Sequence, residues 1–145
     1  MDRNAYQMLI AFNRETKKLD DVYRSAAKSC GISECALWIL YTLRVEEKSF
    51  TQAEICEFLI EPKQTVNSAL RGLEGKGILA LQQYKGRAKK VVLTEAGREY
   101  AAQTAGRLFA AEVRALDAWP TEEINEYICL MEKYVAGLRA QIEQL

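Results

Sequence analysis

Residues 51–94 read TQAEICEFLIEPKQTVNSALRGLEGKGILALQQYKGRAKKVVLT, and the order of signals in that stretch decides the fold. Thr51-Gln52-Ala53-Glu54 is a capping box: the threonine hydroxyl accepts from the backbone of Glu54 while the Glu54 carboxylate reaches back to Thr51, which starts a helix that runs through Leu59. Only Ile60 and Glu61 precede Pro62, whose missing N–H suits the first position of the next helix. On that helix Val66, Ala69, Leu70 and Leu73 form one apolar stripe and leave Lys63, Gln64, Asn67, Ser68 and Arg71 on other faces, until Gly75 and Gly77 stop it. Leu79 and Leu81 then alternate with Ala80 and Gln82, and Val91 and Leu93 with Lys90 and Val92. This pattern predicts two short antiparallel strands turning at Gly86.

Capped helix, short turn, basic helix and charged hairpin, in that order, describe a winged helix-turn-helix. The chain has 145 residues and balances 20 basic against 20 acidic side chains, so total charge points to no partner. Its distribution does. Residues 62–90 carry Lys63, Arg71, Lys76, Lys85, Arg87, Lys89 and Lys90 against Glu74 alone, seven minus one or +6, which leaves −6 for the rest. A local positive field of this kind attracts phosphate whatever the net charge.

Outward from this stretch the chain reads as helical. Tyr6, Leu9, Phe12, Leu19, Val22, Tyr23 and Ala26 recur at spacings of three and four, giving one amphipathic helix that Gly31 ends. Ser33 caps a second helix through about Arg44, apolar nearly all round and so placed in the core. Thr94 caps a long helix from Glu95 to about Ala118. Pro120 breaks the chain before a last helix whose Glu122 and Glu123 sit where a helix N-terminus favours negative charge. The whole predicts a mainly α (α+β winged helix) fold: residues 1–145 as one domain, 33–94 as the core, and 1–30 and 95–145 as helices that pair two copies. The terminal helices present three long apolar stripes that a small reader module cannot cover. A two-fold homodimer is the common solution, and it also matches palindromic DNA.

If the basic helix enters the major groove, Gln64 or Asn67 can read adenine through paired donor and acceptor, and Arg71 can reach guanine or phosphate. Thr65 and Ser68 can then bond phosphate oxygens. Arg87 near the hairpin turn, with Lys85, Lys89 and Lys90, has the composition of a minor-groove probe, because a guanidinium sheds water more easily than an ammonium. The alternative use of the same surface is a protein-interaction module that meets an acidic partner. The uncharged hydrogen-bonding set Gln64, Thr65, Asn67 and Ser68 favours DNA over that use.

The run ALWILYTL, the segment TQAEICEFLIEPKQTVNSALRGLEGKGIL and the wing with its exit, KGRAKKVVLTEAGREY, resemble the MarR family of bacterial transcriptional regulators over essentially the whole chain. The resemblance implies recognition-helix contacts from Lys63, Gln64, Thr65, Asn67, Ser68 and Arg71, a wing contact from Arg87, and dimerisation through the terminal helices. It also implies a repressor of a pseudo-palindromic operator, released by a small aromatic or lipophilic effector. The effector pocket would be lined by Phe12, Tyr23, Trp38 and Tyr41, which ordinary core packing explains equally well. The family's usual aspartate two positions before the wing arginine is Lys85 here, so its acidic brace is missing and wing contacts should be less sequence-selective.

No histidine is present, which removes Ser-His-Asp and Cys-His catalysis and every Cys/His zinc site. No enzyme, cofactor or metal is expected. Cys30, Cys35, Cys56 and Cys129 form no CxxC pair, so free buried thiols are expected; a redox sensor built on Cys30 and Cys35 is the alternative. The start Met1-Asp2-Arg3-Asn4 has no secretory character and no apolar run spans a membrane, so a cytoplasmic protein is expected.

Overall fold

The computed structural model describes residues 3–46 and 48–145; Met1, Asp2 and Glu47 lie outside the described residues, and with them the start of the N-terminal tetrapeptide. The described residues form α1 (Arg3–Ser29), α2 (Glu34–Val45), β1 (Phe50–Thr51), α3 (Gln52–Leu59), α4 (Lys63–Gly75), β2 (Leu79–Gln83), β3 (Lys89–Leu93), α5 (Glu95–Gln103), α6 (Ala105–Leu116) and α7 (Thr121–Ile142). Two compact units result, one ending at Leu108 and the other beginning at Phe109.

In the first unit α2 is the centre. Leu37, Ile39 and Leu40 are wholly buried, and α1, α3, α4 and α5 pack around them. Ser33 caps α2 as the sequence predicts, its hydroxyl accepting from Ala36 N–H at 3.1 Å. Thr51 and Glu54 complete the capping box on α3, at 3.0 and 3.2 Å. Pro62 stands one place earlier than expected, as the N-cap of α4 with φ −57° and ψ 139°, and Lys63 takes the first helical position. An extended ψ at proline ends the turn and leaves the helical dihedrals to begin at the next residue.

Three helices end in the same way. After α1, Ile32 N–H donates to Ala27 C=O (3.3 Å) and Gly31 N–H to Lys28 C=O (3.0 Å). After α4, Ile78 donates to Leu73 (3.0 Å) and Gly77 to Glu74 (2.9 Å). Gly31 and Gly77 take the left-handed conformation that this closure requires, at φ 69° and 73°. After α3 the same pair of bonds forms from Glu61 to Cys56 and from Ile60 to Glu57, but the left-handed residue is Ile60, at φ 54°. A β-branched side chain is strained there, and with 84% of its surface exposed Ile60 gains little packing in return.

The hairpin β2–β3 pairs in the expected register, Leu79 to Leu93 and Leu81 to Val91. A third strand, unexpected from sequence, lies at the other edge of β3: β1 pairs Phe50 with Val91 and Thr51 with Lys90. Thr94 ties this sheet to the helices. Its hydroxyl donates to Gly77 C=O at 2.6 Å and accepts from Gly97 N–H at 2.9 Å, while its own N–H donates to Ile78 C=O at 3.1 Å. Gly97 sits so close that a Cβ would overlap the Ile78 carbonyl.

The helix expected from Glu95 to about Ala118 is instead two. It breaks at Thr104, whose φ −113° and ψ −86° leave the helical region. The Thr104 hydroxyl bonds back to Tyr100 C=O at 2.9 Å, a contact that bends helices. Two residues on, Gly106 lets Arg44 of α2 approach, and a Cβ there would stand 2.8 Å from Nε.

Apolar stripes remain uncovered, as the sequence suggests. Ala27 is the one buried residue of α1, and none is buried on α7, whose Tyr127, Ile128, Leu130, Met131, Val135 and Leu138 are 42–55% exposed.

Two substitutions test this account of the backbone. Ile60→Gly relieves a left-handed strain of ~1–2 kcal/mol, less the chain entropy glycine loses on folding, for a net gain of ~0.5–1 kcal/mol. Urea unfolding at fixed protein concentration should show a later midpoint. Gly97→Ala forces a methyl onto the Ile78 carbonyl and should destabilise by ~1–3 kcal/mol or more in the same titration; an unchanged midpoint would remove Gly97 from the sheet–helix joint.

Candidate nucleic-acid interface

Val66, Leu70 and Leu73 seat α4 on the core, and the remaining faces of α4 point outward with Lys63, Gln64, Thr65, Ser68 and Arg71 exposed and Asn67 half-buried. The polar residues do not share one surface. Lys63 and Asn67 line a cavity of about 850 Å³ that opens between α3, α4 and the hairpin, together with Gln52, Glu57, Arg87 and Lys89. Gln64, Thr65 and Ser68 line another, of about 1060 Å³, between α4 and the start of α2, with Glu34, Glu61 and Lys76. Arg71 follows Asn67 by one helical turn, on the same side as the first cavity.

The two flanks differ in charge. The hairpin flank gathers three of the reader's cations against Glu57, whereas the α2 flank sets Glu34 and Glu61 against Lys76. Phosphate is therefore favoured on the hairpin side of α4, and the neutral donors Gln64, Thr65 and Ser68 face a side where carboxylates oppose it.

At the hairpin tip Lys85 C=O accepts from Ala88 N–H at 2.9 Å, and Gly86 takes φ 57°, which closes a tight turn around Gly86 and Arg87. Within the turn, Gln83 Nε2 donates to Gly86 C=O at 3.2 Å. Lys85 does not stand beside Arg87 as a free probe. Its ammonium lies over the Tyr84 ring at 5.6 Å, and Lys90 lies over the same ring at 4.3 Å. Sequence periodicity identified the cations but not Tyr84, whose role depends on which side chains the strand brings over its ring.

Gln52 was also missed as more than the second residue of the capping box. Its Nε2 donates to Asn67 Oδ1 at 2.7 Å and joins the start of α3 to the middle of α4. A glutamine fifteen residues before its partner leaves no local pattern to read.

Of the four aromatic positions, three are brought together at the α1–α2 contact: Tyr23 and Trp38 with ring centroids 5.0 Å apart, Trp38 and Tyr41 at 5.2 Å. Phe12 stands eleven residues before Tyr23 on α1, ~16 Å along the helix. The three-ring group thus packs two helices together, with all three residues half-buried.

Cys35 is buried and Cys30 half-buried. Burial pushes the Cys35 thiol up, and the Glu61 carboxylate and Cys56 push it further. These are the opposite of the electropositive, exposed surroundings that make a thiol reactive. Among the described residues, no group of three or more Cys, Asp or Glu is placed to hold a metal.

Core helices, a capped helix and its successor, and a braced basic hairpin define the winged helix-turn-helix class. Residues 34–97 match the family model of a winged helix DNA-binding domain. More particularly, the fold is that of MarR family regulators. A MarR family regulator from Neisseria meningitidis superposes with a TM-score of 0.82 at 22% identity, over 94% of this chain and 97% of that one. AbsC, a MarR family transcriptional regulator from Streptomyces coelicolor, gives 0.78 at 16% identity over 97% of both chains. MepR from S. aureus, in a DNA complex, gives 0.68 at 19% identity over 89% and 96%. No curated protein matches the sequence. The resemblance drawn from sequence motifs therefore holds at the level of fold.

The environment of Cys35 makes a pH-dependent prediction. Because its folded pKa is raised, the neutral thiol persists to higher pH in the folded chain than in the unfolded one. Its contribution to stability is full below the ordinary thiol range and is lost as pH climbs through the folded value. Iodoacetamide at pH 8, followed by peptide mass mapping, should label Cys35 at least ~10-fold more slowly in the native protein than in urea. Equal rates would restore Cys35 as a sensor candidate.

Proposed function

We propose that the protein is a sequence-specific DNA-binding transcriptional regulator: a cytoplasmic homodimer that binds a pseudo-palindromic operator, represses transcription and is released by a small aromatic or lipophilic effector. The observation that carries this reading is the +6 charge of residues 62–90, three of whose cations, Lys63, Arg87 and Lys89, line one open cavity between helix and hairpin. Lys63, Arg71, Arg87 and Lys89 neutralise phosphates there, and Gln64, Asn67, Thr65 and Ser68 supply uncharged donors and acceptors for base edges and phosphate oxygens. The dipolar distribution suits DNA better than an acidic protein, since those neutral groups would be wasted on a purely electrostatic contact. DNA-bound MepR, with the same fold, supports the assignment.

Dimerisation follows from the apolar faces. The six large side chains of α7 named above are each about half exposed, so covering them yields roughly 1 kcal/mol or more apiece. Doubled by symmetry, this reaches ~10 kcal/mol, enough to meet an association cost of ~4–15 kcal/mol with modest help from α1. Two recognition helices would then enter successive major grooves ~34 Å apart. The helices of residues 1–30 and 95–145 serve this pairing, and the effector acts by preferring one spacing of the readers. Tyr23, Trp38 and Tyr41 at the α1–α2 contact are the residues through which it would do so, with a coupling of ~1–3 kcal/mol. Binding and its release require no covalent step.

Arg71→Ala should weaken specific binding by ~1–3 kcal/mol and relax base preference at one position of an enriched operator. Lys89→Ala should weaken binding to all duplexes alike and lower the slope of log K against log salt by ~0.9. Fluorescence anisotropy across a salt series separates the two, and parental behaviour from both variants would place the DNA on another surface.

A further inference from the structure

Asn67 is the recognition-helix residue best suited by type to adenine, whose major-groove edge offers an N6–H donor beside the N7 acceptor. Alone, an asparagine meets that edge with its own Oδ1 and Nδ2. Here Oδ1 is engaged at 2.7 Å by Nε2 of Gln52, from the first turn of the preceding helix. Both residues line the cavity that also holds Lys63, Arg87 and Lys89. Asn67 therefore meets DNA with a second amide attached to it.

We propose that Gln52 is a specificity-determining residue, and that Gln52 and Asn67 act as one amide couple that reads an A·T pair. This rests on the DNA-reading function proposed above and adds a residue from α3 to it. When one amide N–H is given to the other's oxygen, the couple keeps an oxygen on one member and an NH₂ on the other. The carbonyl of Gln52 accepts from adenine N6–H while the NH₂ of Asn67 donates to N7. Guanine presents two acceptors, O6 and N7, so its O6 meets the Gln52 oxygen and is rejected. Asn67 Oδ1 keeps a second lone pair, so Gln52 sharpens the selection by adding an acceptor and by holding the Asn67 amide in one orientation.

The position of Gln52 makes this more than a surface contact. The α3 capping box is made by the Thr51 hydroxyl and the Glu54 carboxylate, and the Gln52 side chain has no part in it. The couple also spans the two helices of the helix-turn-helix, so it fixes the Asn67 rotamer before DNA arrives and reduces the ordering required on binding. Exclusion of water from the cavity by the duplex strengthens the amide bond at the moment it is used.

The test starts from a duplex enriched by the parent protein from a randomised pool. The position at which Asn67→Ala loses its preference for A·T is found by single-base substitution. Gln52→Ala removes the added acceptor and frees the Asn67 amide from its fixed rotamer, so it should weaken the preference at that same position, by about tenfold. The double variant should lose no more than the weaker-binding single variant, since the two side chains act as a unit. Salt dependence should stay at the parental value, because Gln52 touches no phosphate in this scheme, and the melting temperature should fall by no more than the loss of one exposed hydrogen bond accounts for. Full base preference in Gln52→Ala overturns the proposal, as does a uniform loss with a flatter salt slope, or losses at two separate positions that add. Failure of the parent to enrich any sequence would instead overturn the DNA reading on which the couple depends.

Discussion

The seating of α4 against α2 governs the rest of the molecule. Val66, Leu70 and Leu73 are spaced by four and three, so they fall on one side of α4, and that side is at most 4% exposed. Every polar residue of α4 is thereby turned outward with little freedom to roll. A buried seam of this kind behaves as a solid, in which a displaced methyl group is felt as lost contact. The position of Asn67 relative to Gln52, and of Lys63 relative to Arg87, is consequently set by apolar packing on the opposite side of the helix. The hairpin is fixed to the same body by Thr94, which bonds at once to the end of α4, the start of β2 and the start of α5. One threonine thus makes the spacing between recognition helix and hairpin a property of the core.

The parts legible in the sequence were those encoded within a few residues of one another. The capping box of α3, the Ser33 cap, the glycines at positions 31 and 77 and the hairpin register each depend on contacts between near neighbours. The parts that escaped depend on distant ones. β1 exists because Phe50 and Thr51 find Val91 and Lys90, some forty residues on, and two residues alone carry no period. The break at Thr104 lies two residues before Gly106, where the side chain of Arg44 from α2 comes close, a neighbour that the local sequence does not reveal. Pro62 was displaced by one position because its φ suits either the cap or the first turn, and only the extended ψ decides.

The candidate site was legible in composition and less so in arrangement. Residue types on α4 and in the hairpin pointed to an anionic, hydrogen-bonding partner, and all of them prove accessible. Their division into a cationic flank and a neutral flank with carboxylates beside it could not be read, because Glu34 and Glu61 reach the groove from other elements. The tip of the hairpin was read incompletely for a similar reason. Lys85 was counted with Arg87, and it is exposed there, but the Tyr84 ring beneath its ammonium and that of Lys90 was not foreseen.

In the proposed complex a phosphate backbone would gain from Lys63, Arg87 and Lys89 on one side of α4 and be opposed by Glu34 and Glu61 on the other, so α4 placed in the major groove would be drawn toward the hairpin. Carboxylates at the edge of a reader raise the energy of every misaligned encounter and of every sequence held by charge alone. Affinity then has to come from base edges within reach of α4, where the groups are amides and hydroxyls. Under the proposed function, a chain of zero net charge would in this way read a strongly charged polymer selectively.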